Sequence, residues 1–420
     1  MIDANPSNYR SLLANLRSGS TLRLAAGSYT QGLPVSNLNG TATAKITITG
    51  PETGSQAIFV GSSSQSWNTI ELFNSSHIVI KNLRIDGRNV PNVFAVSANG
   101  GSSNRTHNIT IENCTIVGHG ANQQTVAIST KIPTWGWVIR KNLVLGAGTG
   151  LYLGNSDGTQ PFIAGVIEGN LVDDSEGYGM QIKHQTSRPL VSGMPTTPQK
   201  TVIRHNVWVK SDRASRDGDR PNVLIGGLPT TGAGSQDFYE IYGNVFYHNP
   251  RESLLQAEGR VSIHDNIFID APGTAINLQN HNMTLRRANV YQNTIYQVGR
   301  GIRFGSTATE GHAVFGNLIF ANTAGISGSA TNLSGNITDT PANASYYVNT
   351  PSTQWDAMDF YPRAGRVQGT ALNLSFFSGE TEFNRDFNSR VKSTFNFRGA
   401  YSGEGINPGW KLQKARKPIP

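Results

Sequence analysis

An asparagine returns ten times along the middle of this chain inside the same apolar frame, and that recurrence constrains the fold more than anything else in the sequence. The segments are IVIKNLRI, ITIENCTI, WVIRKNLVL, GVIEGNLV, TVIRHNVWV, YEIYGNVFY, VSIHDNIFI, ANVYQNTIY, AVFGNLIF and NLSGNIT. Their asparagines are Asn82, Asn113, Asn142, Asn170, Asn206, Asn244, Asn266, Asn293, Asn317 and Asn336, separated by 31, 29, 28, 36, 38, 22, 27, 24 and 19 residues. Self-similarity at such a period marks a solenoid, in which one supersecondary unit stacks on the next. A solenoid grows along one axis, so a single domain can take up all 420 residues.

Each repeat reads as strands. Apolar residues alternate before the asparagine and again after it, rich in Val and Ile, which is the period of a half-buried strand. The asparagine then sits at a bend, where its side chain bonds neighbouring backbone and tolerates a left-handed conformation. A third strand follows at variable distance, in TVAIST, TGLYLGN, YGMQIKH, NVLIGG, SLLQAEG, TAINLQN and GIRFGS. Three short strands per turn without helices predict an all-β chain folded as a right-handed parallel β-helix of about ten turns. Residues 1–60 are expected to form an N-terminal cap and the first turns, with Leu12, Leu13 and Leu16 on one face of a short helix. Residues 61–338 are expected to be regular turns, and 339–420 a C-terminal cap and tail.

Composition agrees. There are 46 Gly and only 15% charged residues, as tight turns between short strands require. No apolar run approaches the length of a membrane span. No secretory leader is visible, and the opening MIDANPSN reads as the start of a mature chain from which a leader has been removed. Cys114 is the single cysteine, so no intrachain disulfide is possible; it reads as a small core residue. The net charge of +8 suits an anionic partner. The basic residues match no nucleic-acid-binding motif. Part of the excess lies in the last ten residues, KLQKARKPIP, read as a solvated tail.

The two widest asparagine steps flank Asn206. There the insertions QTSRPLVSGMPTTPQK, KSDRASRDGDRP and LPTTGAGSQD gather beside two successive third strands. Long loops on a rigid scaffold carry binding function. Alternation turns Met180 and Ile182 inward and Gln181 and Lys183 outward, with Tyr152 and Leu224 in the outward phase of neighbouring turns. Gly154 and Gly226 then lie below and above Lys183. Residues 183–220 hold eight Lys or Arg, where even spacing would put about three. Lys183 on a bare floor between loop walls is the expected catalytic base, with Arg188, Arg213, Arg216 and Arg220 as carboxylate-binding cations and Arg204 as a further substrate contact. A cluster of cations lowers a lysine's pKa and makes it usable as a base. His184 or His205 is a candidate proton relay. Tyr152 and Tyr178, with Tyr239, are candidate sugar platforms. Gln181, Glu252, Gln256 and Glu258 are expected to line the groove. Asp173, Asp174 and Glu176 in LVDDSEGYG are the one candidate Ca2+ site.

Over roughly residues 20–400 the chain resembles the pectate-lyase-like superfamily of right-handed parallel β-helices, including a closing RDFN…FRGAY segment. It matches the signature of no single family within it, and GHG at 118–120 reads as a turn. The resemblance implies a secreted or periplasmic enzyme that cleaves an acidic, uronate-containing polysaccharide by β-elimination. In such lyases Lys or Arg takes the C5 proton while Arg, Lys or Ca2+ neutralises the carboxylate. Two other functions fit the same scaffold. One is a glycoside hydrolase using Asp173 or Asp174 with Glu252 or Glu258; the other is a non-catalytic carbohydrate-binding β-helix. A monomer is expected, with no nucleic-acid or membrane partner.

Overall fold

The computed structural model describes residues 1–62 and 68–420. The expected start of the regular turns at residue 61 therefore borders a stretch outside the described residues. From Ile2 to Asp339 the chain winds as a right-handed parallel β-helix. One face is a sheet of 13 strands, the last ten of which are the segments before the repeating asparagines. The other two faces follow the asparagine and merge into a second sheet. They merge because in the upper turns Ile267–Leu278, Thr294–Phe304 and Leu318–Gly328 run on around the corner without a break.

Register is strict. Ile80, Ile111, Ile139, Ile167, Ile203, Ile241 and Ile263 lie directly above one another on the first face, all fully buried. β-Branched side chains suit such a stack because they pack on a pleated surface and have few rotamers to lose. At the N-terminal end the helix Tyr9–Leu13 plugs the open solenoid, its Tyr9 ring packed edge-on against Tyr29 and Phe59.

The asparagine ladder is real from Asn142 onward. Asn206 shows the pattern: its Nδ2 donates to Ile167 O (2.9 Å) and Asn244 Oδ1 (3.0 Å), and its backbone N donates to the same Oδ1 (2.9 Å). Its own Oδ1 accepts the corresponding pair from Asn170. The same links run through Asn244, Asn266, Asn293 and Asn317 to Asn336.

Two expectations about the ladder are corrected. The left-handed residue at the corner is the one before the ladder asparagine: Lys141, Gly169, His205, Gly243, Asp265, Gln292, Gly316 and Gly335 all have positive φ. Asn82 and Asn113 occupy that left-handed slot themselves, at φ 59° and 50°. In their turns the ladder position therefore falls to Leu83 and Cys114. The Cys114 backbone N donates to Asn142 Oδ1 at 3.0 Å, ending the ladder, and burial pushes its thiol up to about 12. Cys114 is thus the first rung's substitute and no nucleophile.

The C-terminal part does more than close the last turn. Residues 344–412 pack an apolar layer on the outward side of the second face, over Val207, Val245, Ile267 and Leu318. On the first face Phe377 caps a column of rings formed by Tyr242, His264 and Tyr291, stacked 4.1–4.9 Å apart. The last residues return along the asparagine corner and are not a solvated tail. Lys414 pairs with Asp173 at 2.8 Å. Arg416 reaches Asn113 Oδ1, and the buried Lys417 donates to Gly243 O (2.8 Å) and Phe387 O (2.6 Å). Of the three faces, the third is left without this covering.

Replacing Asn206 by Leu removes four buried side-chain bonds and leaves backbone partners unpaired, so unfolding free energy should fall by about 2–4 kcal/mol in urea melts. Cys114→Asn should instead extend the ladder by one rung and stay within about 1 kcal/mol of the unaltered chain. Burial lowers Lys417 to about 7, against an ordinary value of 10.5. The unfolded chain then binds a proton that the folded chain has partly lost, so stability rises with pH across that interval. Melting temperature should climb from pH 7 to pH 9, with a smaller slope in Lys417→Met.

Candidate active site

The third face presents one column of outward residues per turn position, and its register is fixed by the strand pairs. Ser129, Tyr152, Gln181, Leu224, Gln256, Asn277 and Arg303 follow one another up the solenoid. The next outward column runs Lys131, Gly154, Lys183, Gly226 and Glu258. Lys183 is therefore where alternation puts it. Gly154, at φ +88°, leaves the space beneath it open: a Cβ there would lie 3.3 Å from that of Lys183. A Cβ on Gly226 would lie 2.2 Å from the His184 backbone nitrogen, so only glycine lets that turn approach.

Because Gly154 has no side chain, two lysines from turns on either side lean over one ring. Lys131 Nζ lies 5.1 Å and Lys183 Nζ 5.6 Å from the centre of Tyr152. Across the floor Arg220 stands 5.7 Å from the ring of Tyr178. Tyr152, Tyr178, Gln181, Lys183 and Arg220, with Gln123, Gln124 and Thr149, enclose a cavity of about 200 Å³. Among the described residues neither lysine ammonium has a hydrogen-bond or ion-pair partner, and Arg220 donates only to the carbonyls of Asp217 and Asp219. Burial, then the Arg220 charge, holds Lys183 below the ordinary lysine range; burial does the same to Lys131. Burial raises Tyr152 and Tyr178, so both hydroxyls keep their protons at neutral pH.

The wall carrying Arg220 is the insertion between Val209 and Val223, and several of the expected catalytic residues are its fastenings. Arg216 grips the buried carboxylate of Glu176 through Nε (2.8 and 2.9 Å) and Nη2, and donates to Gly120 O and Ala121 O at the GHG turn. Arg213 holds Asp174 O, while Ser211 bonds the Asp174 carboxylate. Gln123 exchanges bonds with the backbone of Asp217 and Gly218. Lys210, lowered to about 8 by burial, donates to Gly177 O (2.8 Å) and to Arg220 O (3.1 Å). That places a third lysine of lowered pKa near the site, but its ammonium faces backbone carbonyls below the loop and does not line the cavity.

The remaining sequence candidates separate clearly. Arg188 is buried in an ion pair with Asp237 and also donates to Pro195 O; it staples the other two insertions to each other. Those two loops do not line the cavity. His184 packs against the turn at Gly158, and His205 is buried at the asparagine corner. Arg204 lies on the first face, bound to Glu168, the Tyr242 hydroxyl and Glu382. Glu258 is buried and accepts three backbone N–H groups, from Gly227, His281 and Met283, which removes it from the groove. Tyr239 is buried against Gln185. Gln256 and Glu252 stay on the third face, further up. Asp173, Asp174 and Glu176 do not converge: their partners are Lys414, Ser211 with Arg213, and Arg216. Among the described residues no group of three or more His, Cys, Asp or Glu side chains is placed to hold a metal ion.

Lys131 is the residue that sequence reading missed, although the signal was present. It is the next outward position after Ser129 in TVAISTK, one residue beyond the end of the strand Val126–Thr130.

Arg216→Ala should free the wall without touching the cavity. The expected result is faster limited proteolysis between residues 210 and 221, together with weaker ligand binding. Unchanged proteolysis would show that the loop is held by its other bonds alone.

Comparison with known proteins gives the following. A family model described as Periplasmic copper-binding protein (NosD) matches residues 205–360, a stretch that begins beyond Lys183. No curated relative matches the sequence. Among solved structures, the PL6-family alginate lyase AlyGC aligns over 97% of this chain and 59% of its own, at 12% identity and a TM-score of 0.49. An alginate lyase from Paenibacillus sp. str. FPU-7 aligns over 81% and 99%, at 14% identity and a TM-score of 0.41. The A-module of the Azotobacter vinelandii mannuronan C-5 epimerase AlgE6 aligns over 77% and 91%, at 15% identity and a TM-score of 0.44. The chain thus spans about three fifths of the length of AlyGC.

Proposed function

We propose that this protein is a polysaccharide lyase that cleaves an acidic, uronate-containing polymer by β-elimination in the Lys183 cavity. The observation that carries the reading is the composition of that cavity: the unpaired Lys183 ammonium, Arg220 and two neutral tyrosines line it with no carboxylate, and the unpaired Lys131 ammonium stands over the Tyr152 ring at its edge. A glycoside hydrolase needs two carboxyl groups facing the scissile bond. The residues considered for that role, Asp173, Asp174, Glu252 and Glu258, do not supply them here, since none lines the cavity.

In this reading a uronate ring rests on Tyr152 with its carboxylate between Arg220 and Lys131. Neutral Lys183 removes the C5 proton, and the charge that develops spreads onto the carboxylate, where the two cations stabilise it. The electron pair forms the C4–C5 double bond as the C4–O bond breaks. Tyr152, adjoining the base, gives its hydroxyl proton to the leaving oxygen, and the proton that Lys183 has taken returns to the tyrosinate through water, which restores both groups. Burial and the neighbouring cation serve this chemistry by enlarging the fraction of Lys183 that is uncharged near neutral pH. An acidic polysaccharide of this kind lies outside the cytoplasmic membrane, so the reading carries a secreted or periplasmic location with it.

The test is absorbance of the unsaturated uronate released from alginates, pectate, glucuronans and glycosaminoglycans. At least one polymer should give it, and rates should rise with pH along a limb below the ordinary lysine value of 10.5. Lys183→Arg keeps the charge but loses a group that can be deprotonated, so kcat should fall by about 10²–10⁴. A Lys183→Arg protein with unaltered kcat would assign the base elsewhere. Binding of polyuronate with no product from any of them would leave a carbohydrate-binding β-helix in place of the lyase.

A further inference from the structure

We infer that a second anion-binding subsite, built on Arg251, Arg300 and Arg303, holds the same polyuronate chain further up the third face. This inference rests on the polyuronate reading of the Lys183 cavity and extends it.

The subsite is a separate, larger hollow of about 460 Å³ lined by these three arginines together with Glu252 and Asn277. Its floor is continuous with that of the first cavity, because Gln181, Leu224, Gln256, Asn277 and Arg303 are successive members of one outward column. Four rungs at about 4.8 Å span about 19 Å, the length of about four linked uronates. The two hollows meet at Asp219: its carbonyl accepts from Arg220 of the first, and its carboxylate lies 3.8 Å from Arg251 of the second.

The charges are placed to meet an anion. Arg303 is held pointing along the floor by Asn277 Oδ1 (2.9 Å) and Gln279 Oε1 (3.1 Å), two neutral acceptors that leave its charge uncompensated. Arg300 is exposed and, among the described residues, has neither hydrogen bond nor ion pair. Glu252 is the one carboxylate in the lining, and it accepts the backbone N–H of Ser253 at 3.1 Å. Three guanidinium groups against the Glu252 carboxylate and the Asp219 carboxylate beside Arg251 leave the hollow net positive, with Arg300 and Arg303 uncompensated, which suits carboxylates repeating along one polymer. Such a pair of subsites favours binding within a long chain over binding at a short fragment, since the second set of contacts is made only when the ligand spans both.

The experiment is calorimetric titration in the Lys183→Arg background, which stops turnover and keeps the cavity charge. Two alginate size fractions are compared: trisaccharides that fit the lysine cavity alone, and fragments long enough to reach Arg303. The Arg300→Ala/Arg303→Ala protein should bind the long fragments about tenfold more weakly and the trisaccharides with unchanged affinity. Arg300→Ala alone, at an exposed side chain without partners, should give part of that loss and leaves the fold untouched. Equal affinities for both proteins, or an equal loss at both lengths, overturns the subsite while leaving the lysine cavity standing. No binding of polyuronate at any length by the Arg300- and Arg303-containing protein overturns the polyuronate reading itself, and the subsite with it.

Discussion

One side-chain amide per turn, bonded to the turn above and the turn below, sets the geometry on which everything else in this molecule depends. Each ladder asparagine satisfies a carbonyl and the asparagine backbone N–H of the preceding turn, so backbone groups that a buried corner would otherwise orphan are paired. Because every rung uses the same atoms, the turns are forced into one register, and a slip of one residue would turn apolar side chains outward on every face. Register in turn makes the third face a set of straight columns. Lys131, Gly154 and Lys183 align only because the ladder positions of their turns, Cys114, Asn142 and Asn170, do. A loop can then be inserted at one turn without disturbing the columns that pass it.

The fold was legible because its cause is periodic. Alternation, the asparagine frame and the turn residues all point to the same strands, and consistency of that kind is what lets a sequence specify a structure. Even the slip at the first two turns was written in the text. In IVIKN and ITIEN the isoleucine stands two residues before the asparagine, whereas in VIRKN, VIEGN and VIRHN it stands three before. The one-residue difference moves Asn82 and Asn113 into the left-handed slot, which asparagine tolerates, and hands the ladder position to Leu83 and Cys114.

The site was legible in part, and for the same reason. Lys183, Tyr152 and Gln181 were placed by alternation on regular strands. The arginines were not, because they lie on insertions, where no period says which way a side chain points. Charge clustering identified the right stretch of chain but could not tell a fastening from a ligand contact. Arg188, Arg213 and Arg216 satisfy Asp237, Asp174 and Glu176 or nearby carbonyls, and only Arg220 reaches the cavity. The C-terminal segment was misread for a related cause. Its contacts with the first and second faces join residues up to about three hundred positions apart, such as Arg416 with Asn113, and local pattern carries no trace of them.

The covering of two faces and the bareness of the third together bear on function. A solenoid has no intrinsic front, and its three faces differ only in what is laid over them. Here residues 344–412 clothe the second face, and the Phe377 segment caps the first. On the remaining face the chain keeps Lys131 and Lys183 half-buried with no counter-charge among the described residues, at some cost to stability, since partial burial disfavours the ammonium and Arg220 adds repulsion to Lys183. Elsewhere in the same molecule buried cations are paired or bonded: Arg188 with Asp237, Lys392 with Asp265, Lys417 with two carbonyls. Charge satisfaction that holds for these buried cations and fails for the half-buried lysines of the third face is what supports the proposal that this face is where a ligand binds. An anionic ligand there would restore the missing counter-charge, and its binding would stabilise the folded chain by the same interactions that the empty site lacks.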